Sequence, residues 1–290
     1  MRKPCSRGPD GRIVHEPLFA YPAEVRQAIE THYSAYYTHF GIRNVRDHVA
    51  KRLREEFVES DRLALHELLL NRKFENARAL VVGLGTGGLA VALHSLGNEV
   101  HGVEPDAAAL RIAQQKLAYV GREKSHFLGA VAEHLPYRSN AFDFVFCFTV
   151  LEHVQDVKTS LHEMVRVLKP GGTLILNTPE YRFPFEAHYK VPVLLKPLPR
   201  FLSAAILKIA GKPPGPLFSE ITYVTSKQVQ HLLMEMPNLV FFRVLASYPD
   251  DWRTRARSLR DRFIYACFRF WSRHLEIYRN QEYYVFKLPG

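Results

Sequence analysis

Apolar residues recur with a helical period over the first quarter of the chain. In PAEVRQAIETHYSAYYTHF, the apolar residues Val25, Ile29, Tyr33 and Tyr36 fall near one face of a helix, and the leading proline suits a first helical position. RDHVAKRLREEFVESDRLALHELLL continues with apolar residues three or four positions apart. Residues 1 to about 20 are polar and contain proline and glycine. The pattern therefore predicts a loose lead followed by helices up to about residue 71.

The period then changes to short apolar runs separated by helical stretches. The runs are ARALVVG, NEVHGVEPD, SHFLGAVAEHLPY, AFDFVFCFTVLEHV and TLILNTP, and after a proline-rich break NLVFFRVLASY and EYYVFKL follow. Strands that alternate with helices favour a parallel sheet covered on both faces. We therefore expect an α/β fold with a doubly wound, mostly parallel, seven-stranded sheet.

Changes in this pattern divide the chain into four parts. Residues 1–74 are interpreted as a lead and a helical lid, and residues 75–180 as the core that holds the cofactor. Residues 181–222 are interpreted as an insertion that binds the acceptor. Residues 223–290 complete the core and contain a basic amphipathic helical insertion.

Charge and cysteine content narrow the function classes. The 290 residues carry a formal net charge of +10, which suits an acidic substrate, a membrane surface or nucleic acid but is also common in ordinary enzymes. The three cysteines are far apart, so neither a disulfide framework nor a structural zinc site is indicated, and we predict no metal. Without an apolar signal core or an unbroken spanning stretch, we expect a cytoplasmic protein, with peripheral membrane contact as an option.

The stretch VVGLGTGGLA fits two cofactors. Gly83, Gly85 and Gly88 have the spacing of a dinucleotide site, whereas Gly83, Gly85 and Gly87 have the spacing common in S-adenosylmethionine (SAM) sites. Glu104 follows the next strand, where a carboxylate can accept both ribose hydroxyls of an adenosine. These residues alone leave both SAM and NAD(P) open.

The second half of the core resembles a known family, and this resemblance distinguishes SAM from NAD(P). AEHLPYRSNAFDFVFCFTVLEHVQDVKTSLHEMVRVLKPGGTLILNTP, from Ala132 to Pro179, resembles the corresponding region of class I SAM-dependent methyltransferases. With the glycine loop and Glu104, the resemblance covers about a hundred residues in the expected order. It implies a Rossmann-like fold, SAM as the cofactor and methyl transfer as the reaction.

The resemblance also implies a set of cofactor-binding residues. They are Gly83, Leu84, Gly85 and Gly87 at the methionyl part, Glu104 at the ribose, Pro105, Ala132 and Glu133 at the adenine, and Phe148 and Thr149 at the sulfonium end. Val81 and Val131 stand where family members often have acidic residues that meet the amino group and the adenine of SAM. Two hydrogen bonds of about 1 kcal/mol each are therefore expected to be missing.

The acceptor is predicted less narrowly than the cofactor. A hydroxyl acceptor benefits from a base, and His188 in the insertion and His153 after the fourth core strand are the candidates. We expect transfer to oxygen, with nitrogen as second choice, on a small molecule, a glycan or a lipid-linked acceptor. An NAD(P)-dependent oxidoreductase and a non-catalytic SAM-binding protein at a membrane surface remain the alternatives.

Two further segments carry interpretations of their own. Tyr36 or Tyr37 could meet the carboxylate of SAM if the N-terminal helices close over the cofactor. The stretch 252–279 interleaves arginines with aromatic residues and is interpreted as a solvated basic helix, with membrane contact second. Nucleic acid is not a favoured partner, because no N-P-P-Y-like tetrapeptide closes the fourth core strand.

Overall fold

The predicted elements can be followed in a computed structural model, which describes residues 3–121, 125–183, 188–189, 198–244, 270 and 280–289. The helices are α1 (Ala23–His39), α2 (Val45–Arg52), α3 (Glu55–Leu70), α4 (Gly88–Ser95), α5 (Ala107–Val120), α6 (Val157–Val167), α7 (Arg200–Ile209), α8 (Gly215–Ser219) and α9 (Ser226–Met234). The strands are β1 (Cys5–Arg7), β2 (Ile13–His15), β3 (Arg78–Val82), β4 (Glu99–Val103), β5 (His126–Leu128), β6 (Phe142–Phe148), β7 (Leu168–Pro179), β8 (Leu239–Val244) and β9 (Asn280–Lys287).

Seven of these strands form the main sheet in the order β5-β4-β3-β6-β7-β9-β8. Strands β5, β4, β3, β6 and β7 pair in parallel, and β9 runs antiparallel to both β7 and β8. The expected doubly wound, mostly parallel, seven-stranded sheet is therefore confirmed.

Both faces of the sheet are buried, which explains why its central strands are almost continuously apolar, with charged residues such as Arg78 and Asp143 only near their amino ends. Val81 points into a core shared with α1, α3, α4 and α5, whereas Leu80 and Val82 point into a core shared with α6 and α9. Alternate residues of a strand face opposite sides of the sheet. Each large side chain buried in this way contributes about 1.5–3 kcal/mol, so a continuous apolar run is favoured over an alternating one.

The N-terminal lead is more ordered than its composition suggested. Strands β1 and β2 pair antiparallel from Cys5 opposite His15 to Arg7 opposite Ile13. The Arg7 guanidinium forms an ion pair with Glu67 of α3. The prediction of a loose lead is therefore wrong over residues 5–15, because strands this short carry little period and are held by contacts made much later in the chain.

Strand order brings the candidate site together at one edge of the sheet. The chain leaves β3 for β4 on one side, whereas β6 pairs with β3 on the other side, so the strand order reverses between β3 and β6. Ligands of open α/β sheets bind beyond the carboxyl ends of the strands at such a reversal. Gly83, Glu104 and Thr149 directly follow β3, β4 and β6, respectively, and so lie at this edge.

Two interpretations made from the sequence, the basic helix and the lack of a membrane span, can be compared with the structure only over its described residues. The basic stretch 252–279 lies outside the described residues except for Phe270. Within the described ranges, no helix combines the length and the apolar character needed to span a bilayer.

Candidate functional site

The turn after β3 is built on glycines that no other residue could replace without strain. Gly83, Gly85 and Gly87 have φ angles of 71°, 54° and 87°, in the left-handed region. A Cβ on Gly83 would overlap the Cγ2 atom of Val150. A Cβ on Gly87 would come within 2.9 Å of the Cβ of Ala113 on α5, so this glycine allows close packing of α4 and α5.

Glu104 connects the ends of β3 and β4. Its Oε2 accepts the backbone N–H of Gly85 at 2.7 Å, and its Oε1 accepts the N–H of Asp106 at 3.0 Å. Burial raises the pKa of Glu104, and these two N–H groups partly oppose the rise. The carboxylate fixes the glycine turn while it lines the adjoining cleft.

Two clefts meet at Val150 above the carboxyl edge of the sheet. One has a volume of about 400 Å³ and the other about 480 Å³, and both are lined by Gly83, Pro105 and His153 as well as by Val150. The first also contains the predicted residues Leu84, Gly85, Glu104, Phe148, Thr149 and His188. The second contains Ala132 and Glu133. The residues predicted for the methionyl part and for the adenine thus lie on two sides of Val150, in one trough.

Glu133 connects two loops at the wall of the second cleft. Its Oε1 accepts the backbone N–H groups of Gln155 at 2.7 Å and Asp156 at 3.3 Å, which ties the loop after β5 to the loop after β6. Val131, at the position where the family often has an acid, lines the same cleft and is largely exposed. An apolar side chain therefore takes the place of the carboxylate at this wall.

Phe148 and Thr149 end β6 at the floor of the first cleft. The Arg62 guanidinium lies 4.9 Å from the centroid of the Phe148 ring, on which His66 stacks at 5.5 Å. Thr149 has a φ of 55°, a conformation that is costly for a β-branched residue. A strained turn at the end of a central strand is typical of ligand sites.

The two candidate bases lie next to each other. The Nε2 atoms of His153 and His188 are 3.3 Å apart. His153 Nδ1 lies 2.9 Å from the Glu220 carbonyl oxygen, and His188 Nδ1 lies 3.4 Å from the Tyr181 hydroxyl. The insertion therefore brings a histidine to the loop after β6, although the two residues are 35 positions apart.

The same two histidines form a metal-capable group with Glu152. One donor atom from each of the three residues lies within 4.8 Å of the others. Imidazole and carboxylate are suitable ligands for several divalent cations. The sequence predicted no metal here, because Glu152 and His153 are adjacent and His188 comes from the insertion.

A buried ionic cluster beneath the glycine turn was missed by the sequence analysis. Lys116 of α5 is fully buried and forms ion pairs with Glu55 and with Glu56 Oε1, the latter at 2.8 Å. Glu55 also accepts the hydroxyl of Thr86 in the turn. A usable signal was present, because Lys116 occupies the apolar stripe of α5 with Ile112, Ala113 and Val120.

The N-terminal helices form one wall of the first cleft. Tyr33 and Tyr36 both line it, although Tyr33 is almost fully buried, whereas Tyr37 lies in the core. The Tyr33 hydroxyl lies 3.1 Å from Thr86 Oγ1, and the Tyr37 hydroxyl accepts from Arg52 Nε at 3.2 Å. Arg52, Glu55, Glu59 and Arg62 also line this wall. Charged side chains of α2 and α3 therefore face the glycine turn.

Comparisons with known proteins agree with this geometry. Residues 80–176 match a family model described as a methyltransferase domain. The chain is 36% identical over 104 residues to a ubiquinone biosynthesis O-methyltransferase from Alkalilimnicola ehrlichii, covering 36% of this chain and 42% of that protein. It is 27% identical over 121 residues to the sterol 4-C-methyltransferase strm-1 from Caenorhabditis elegans, covering 40% and 36%, respectively.

A solved structure gives the same result for the fold. A SAM-dependent methyltransferase from Mesorhizobium loti superposes with a TM-score of 0.51 at 15% identity, over 73% of this chain and 91% of that one. The class I methyltransferase fold is thus confirmed, and the domain match favours SAM over NAD(P) as the cofactor. The chain spans about two fifths of the length of the first curated relative, so the relative's activity does not transfer to it directly.

Proposed function

We propose that this chain, in which residues 80–176 form a class I SAM-dependent methyltransferase domain, transfers a methyl group from SAM to a hydroxyl oxygen of a small-molecule acceptor. The observation that carries the proposal is the position of the His153–His188 pair beside the trough formed by the glycine turn and Glu104. The name of the O-methyltransferase relative supports oxygen as the acceptor atom.

The residues present fit the cofactor. SAM supplies a methyl group that is already activated by its sulfonium. The left-handed glycines remove side chains from the path of the ligand, and Glu104 offers carboxylate oxygens at the end of β4, where a ribose is expected. Holding the acceptor oxygen in line with the methyl carbon contributes about 7–11 kcal/mol, so positioning is the main catalytic task of the trough.

The histidine pair takes the hydroxyl proton in this proposal. Because His153 Nδ1 faces a carbonyl oxygen, we assign its proton to Nδ1, which leaves Nε2 as the basic nitrogen. His188 Nε2 donates to the lone pair of that nitrogen and its Nδ1 faces Tyr181, so the acceptor hydroxyl displaces the His188 N–H when it binds. As the acceptor oxygen forms its bond to the methyl carbon and the carbon–sulfur bond breaks, the proton moves to His153 Nε2. General base catalysis of this kind contributes about 10²–10⁴-fold.

The activity is tested by measuring S-adenosylhomocysteine with purified protein, SAM and a panel of phenols, sterols, quinols and sugar hydroxyls. Product with at least one hydroxyl acceptor supports the proposal. Binding of SAM without product across the panel favours the non-catalytic alternative, and preferential binding of labelled NADH over SAM favours the oxidoreductase.

The base is tested with His153→Ala and His188→Ala, each measured on the acceptor found above. We expect kcat to fall by about 10²-fold or more for His153→Ala, with partial rescue by imidazole. His162→Ala, at an exposed position of α6, is the matched control, because among the described residues that imidazole bonds only to the local Lys158 carbonyl. Loss of activity on chelation, restored by a divalent cation, would instead assign the pair a ligand role with Glu152.

We further propose that the acceptor is amphipathic and that α7 contacts a membrane surface. Phe201, Leu202 and Ile209 are exposed on one face of α7, and the first and last of these are 71% and 89% exposed. Lys208 lies on the same exposed face. An apolar face with basic neighbours suits the boundary of an anionic bilayer. The sterol named for one relative is an acceptor of this chemical kind.

Vesicle sedimentation tests the membrane contact. The protein is expected to sediment with phosphatidylglycerol-containing vesicles and less with neutral ones. Phe201→Ser with Ile209→Ser should reduce binding at least tenfold, whereas Met234→Ser, an equally exposed apolar residue on α9, should not. Equal sedimentation of all variants would remove α7 from the contact.

A further inference from the structure

The amino-acid end of SAM carries an ammonium and a carboxylate. In this chain, the acidic residue expected to bind the ammonium is missing. Val81, in the position where the family often has an acid for the ammonium, is an almost fully buried apolar residue. A charge that enters a half-closed cleft without a partner loses hydration and binds weakly. The partner must therefore come from another element that lines the same cleft.

Helix α3 and the last residue of α2 supply such partners. Glu55, Glu59 and Arg62 are four and three positions apart, so they share one face of α3. Together with Arg52, they line the cleft that also contains Gly83 and Gly85. The lid helices thus present two acids and two guanidinium groups to the glycine turn.

The carboxylate of Glu55 already interacts with several other side chains of the protein. Burial opposes its ionisation, but the charges of Lys116 and Arg52 and the hydrogen bonds from Lys116 and Thr86 together outweigh that effect and hold the pKa of Glu55 below its usual value. Its carboxylate also accepts from Thr86 and from Tyr33. A residue with these contacts positions the turn and has little capacity left for a ligand.

Glu59 is the better partner for a cation. Its side chain is 16% exposed, and its Oε2 accepts from Arg62 Nη1 at 3.1 Å. Burial raises the pKa of Glu59 although Arg62 opposes the rise. A second positive charge beside this carboxylate would therefore favour its ionised form.

Of the two arginines, Arg52 is the one that contacts a residue bonded to the glycine turn. Its Nη1 is 3.7 Å from Glu55 Oε2, and Glu55 is bonded to Thr86 of the turn. The Tyr37 hydroxyl holds its Nε at 3.2 Å. Arg62 instead pairs with Glu59 and lies over the Phe148 ring. Arg52 is thus fixed beside the turn with a planar fork of donors that suits a carboxylate.

We propose that Glu59 binds the ammonium and Arg52 the carboxylate of the methionyl part of SAM, so that the lid helices replace the missing acid on β3. The proposal rests on the proposed function and assigns the specificity of its cofactor site. It makes the amino-acid end a contact of α2 and α3, whereas the nucleoside end remains a contact of β3 and β4.

Equilibrium calorimetry with four ligands tests each group separately. SAM and S-adenosylhomocysteine carry both charged groups, decarboxylated SAM carries only the ammonium, and 5′-methylthioadenosine carries neither. Glu59→Gln should weaken the first three ligands by about 10- to 100-fold and leave methylthioadenosine unchanged. Arg52→Gln should weaken only SAM and S-adenosylhomocysteine, by a similar factor.

Controls separate this proposal from a folding effect and from the proposed function. Glu24→Gln, at an exposed position of α1, should change no affinity. Arg52→Lys and Glu59→Asp, which keep the charge, should recover part of the SAM affinity if Arg52→Gln or Glu59→Gln proves unstable. The assignment would be overturned if Glu59→Gln or Arg52→Gln weakened methylthioadenosine as much as SAM, or if it left SAM binding unchanged. It would also be overturned if Arg62→Gln changed the ligand selectivity and Arg52→Gln did not. A wild-type chain that binds none of the four contradicts the proposed function itself.

Discussion

Lys116 on α5 and Glu56 on α3 form an ion pair of 2.8 Å in which both side chains are buried. The pair joins α5, which packs on the sheet, to α3, which precedes the first strand of the sheet. Glu55 extends it to Thr86, so the lid and the glycine turn share one network. The conformation of the cofactor loop is thus fixed partly by residues that precede the core.

Lys116→Met should destabilise the protein by about 3–5 kcal/mol, because it leaves Glu55 and Glu56 buried beside each other without their cation. Urea unfolding measures the change. Lys158→Met, at an exposed lysine, should cost less than about 0.5 kcal/mol. If Lys116→Met costs no more than this control, the buried pair contributes little to stability. Adding Glu55→Gln to Lys116→Met should recover part of the loss.

Glu104→Gln should weaken SAM binding by about 10- to 100-fold. The amide keeps one acceptor oxygen for the N–H of Gly85 or Asp106 but loses the charge and the second acceptor. Calorimetry with SAM and with adenosine measures the effect, which should be of equal size for both ligands because they share the ribose. A loss confined to SAM would show that Glu104 does not bind the sugar.

Gly83→Ala should be much more harmful than Gly85→Ala, although both residues have positive φ. Among the described residues, nothing lies within 4 Å of a Cβ on Gly85, so only backbone strain of about 1–2 kcal/mol is expected there. A Cβ on Gly83 also overlaps Val150. Thermal unfolding should show this order, and Val150→Ala should partly rescue Gly83→Ala. Equal losses at the two glycines would contradict the overlap.

His66 should make the protein less stable in mild acid. Burial, with a smaller effect of Arg62, lowers the pKa of His66 to about 4. Its Nδ1 lies 2.6 Å from the Tyr284 hydroxyl, and among the described residues nothing bonds to its Nε2. An unfolded histidine has a pKa of about 6.5, so between pH 6.5 and 4 the unfolded chain binds a proton that the native state rejects.

The stability contributed by neutral His66 is therefore present above pH 6.5 and is lost as the pH falls towards 4. The free energy of unfolding should fall by about 2 kcal/mol between pH 7.5 and 5 from this group alone. Urea unfolding of the wild type and of His66→Leu with Tyr284→Phe isolates the contribution, because other groups titrate in both. Identical pH dependence in the two proteins would show that His66 is not the responsible group.

The sequence by itself determined the fold class and which residues follow the central strands at one edge of the sheet. Seven short apolar runs, each followed by a helix or a turn signal, were enough to predict the sheet, because strands buried on both faces are almost continuously apolar and so differ from the helical period around them. Gly83 and Glu104 were readable for a related reason: each directly follows a strand, and the carboxyl ends of parallel strands meet at one edge.

Tertiary structure alone decided which charged and basic groups reach that edge. Lys116 meets Glu55 across 61 positions, and His188 meets His153 across 35, from elements whose relative placement no local period encodes. The β1–β2 hairpin depends in the same way on Arg7 reaching Glu67. Such contacts follow from how helices pack on the finished sheet, so they became visible only when the faces that the sequence predicted were brought together.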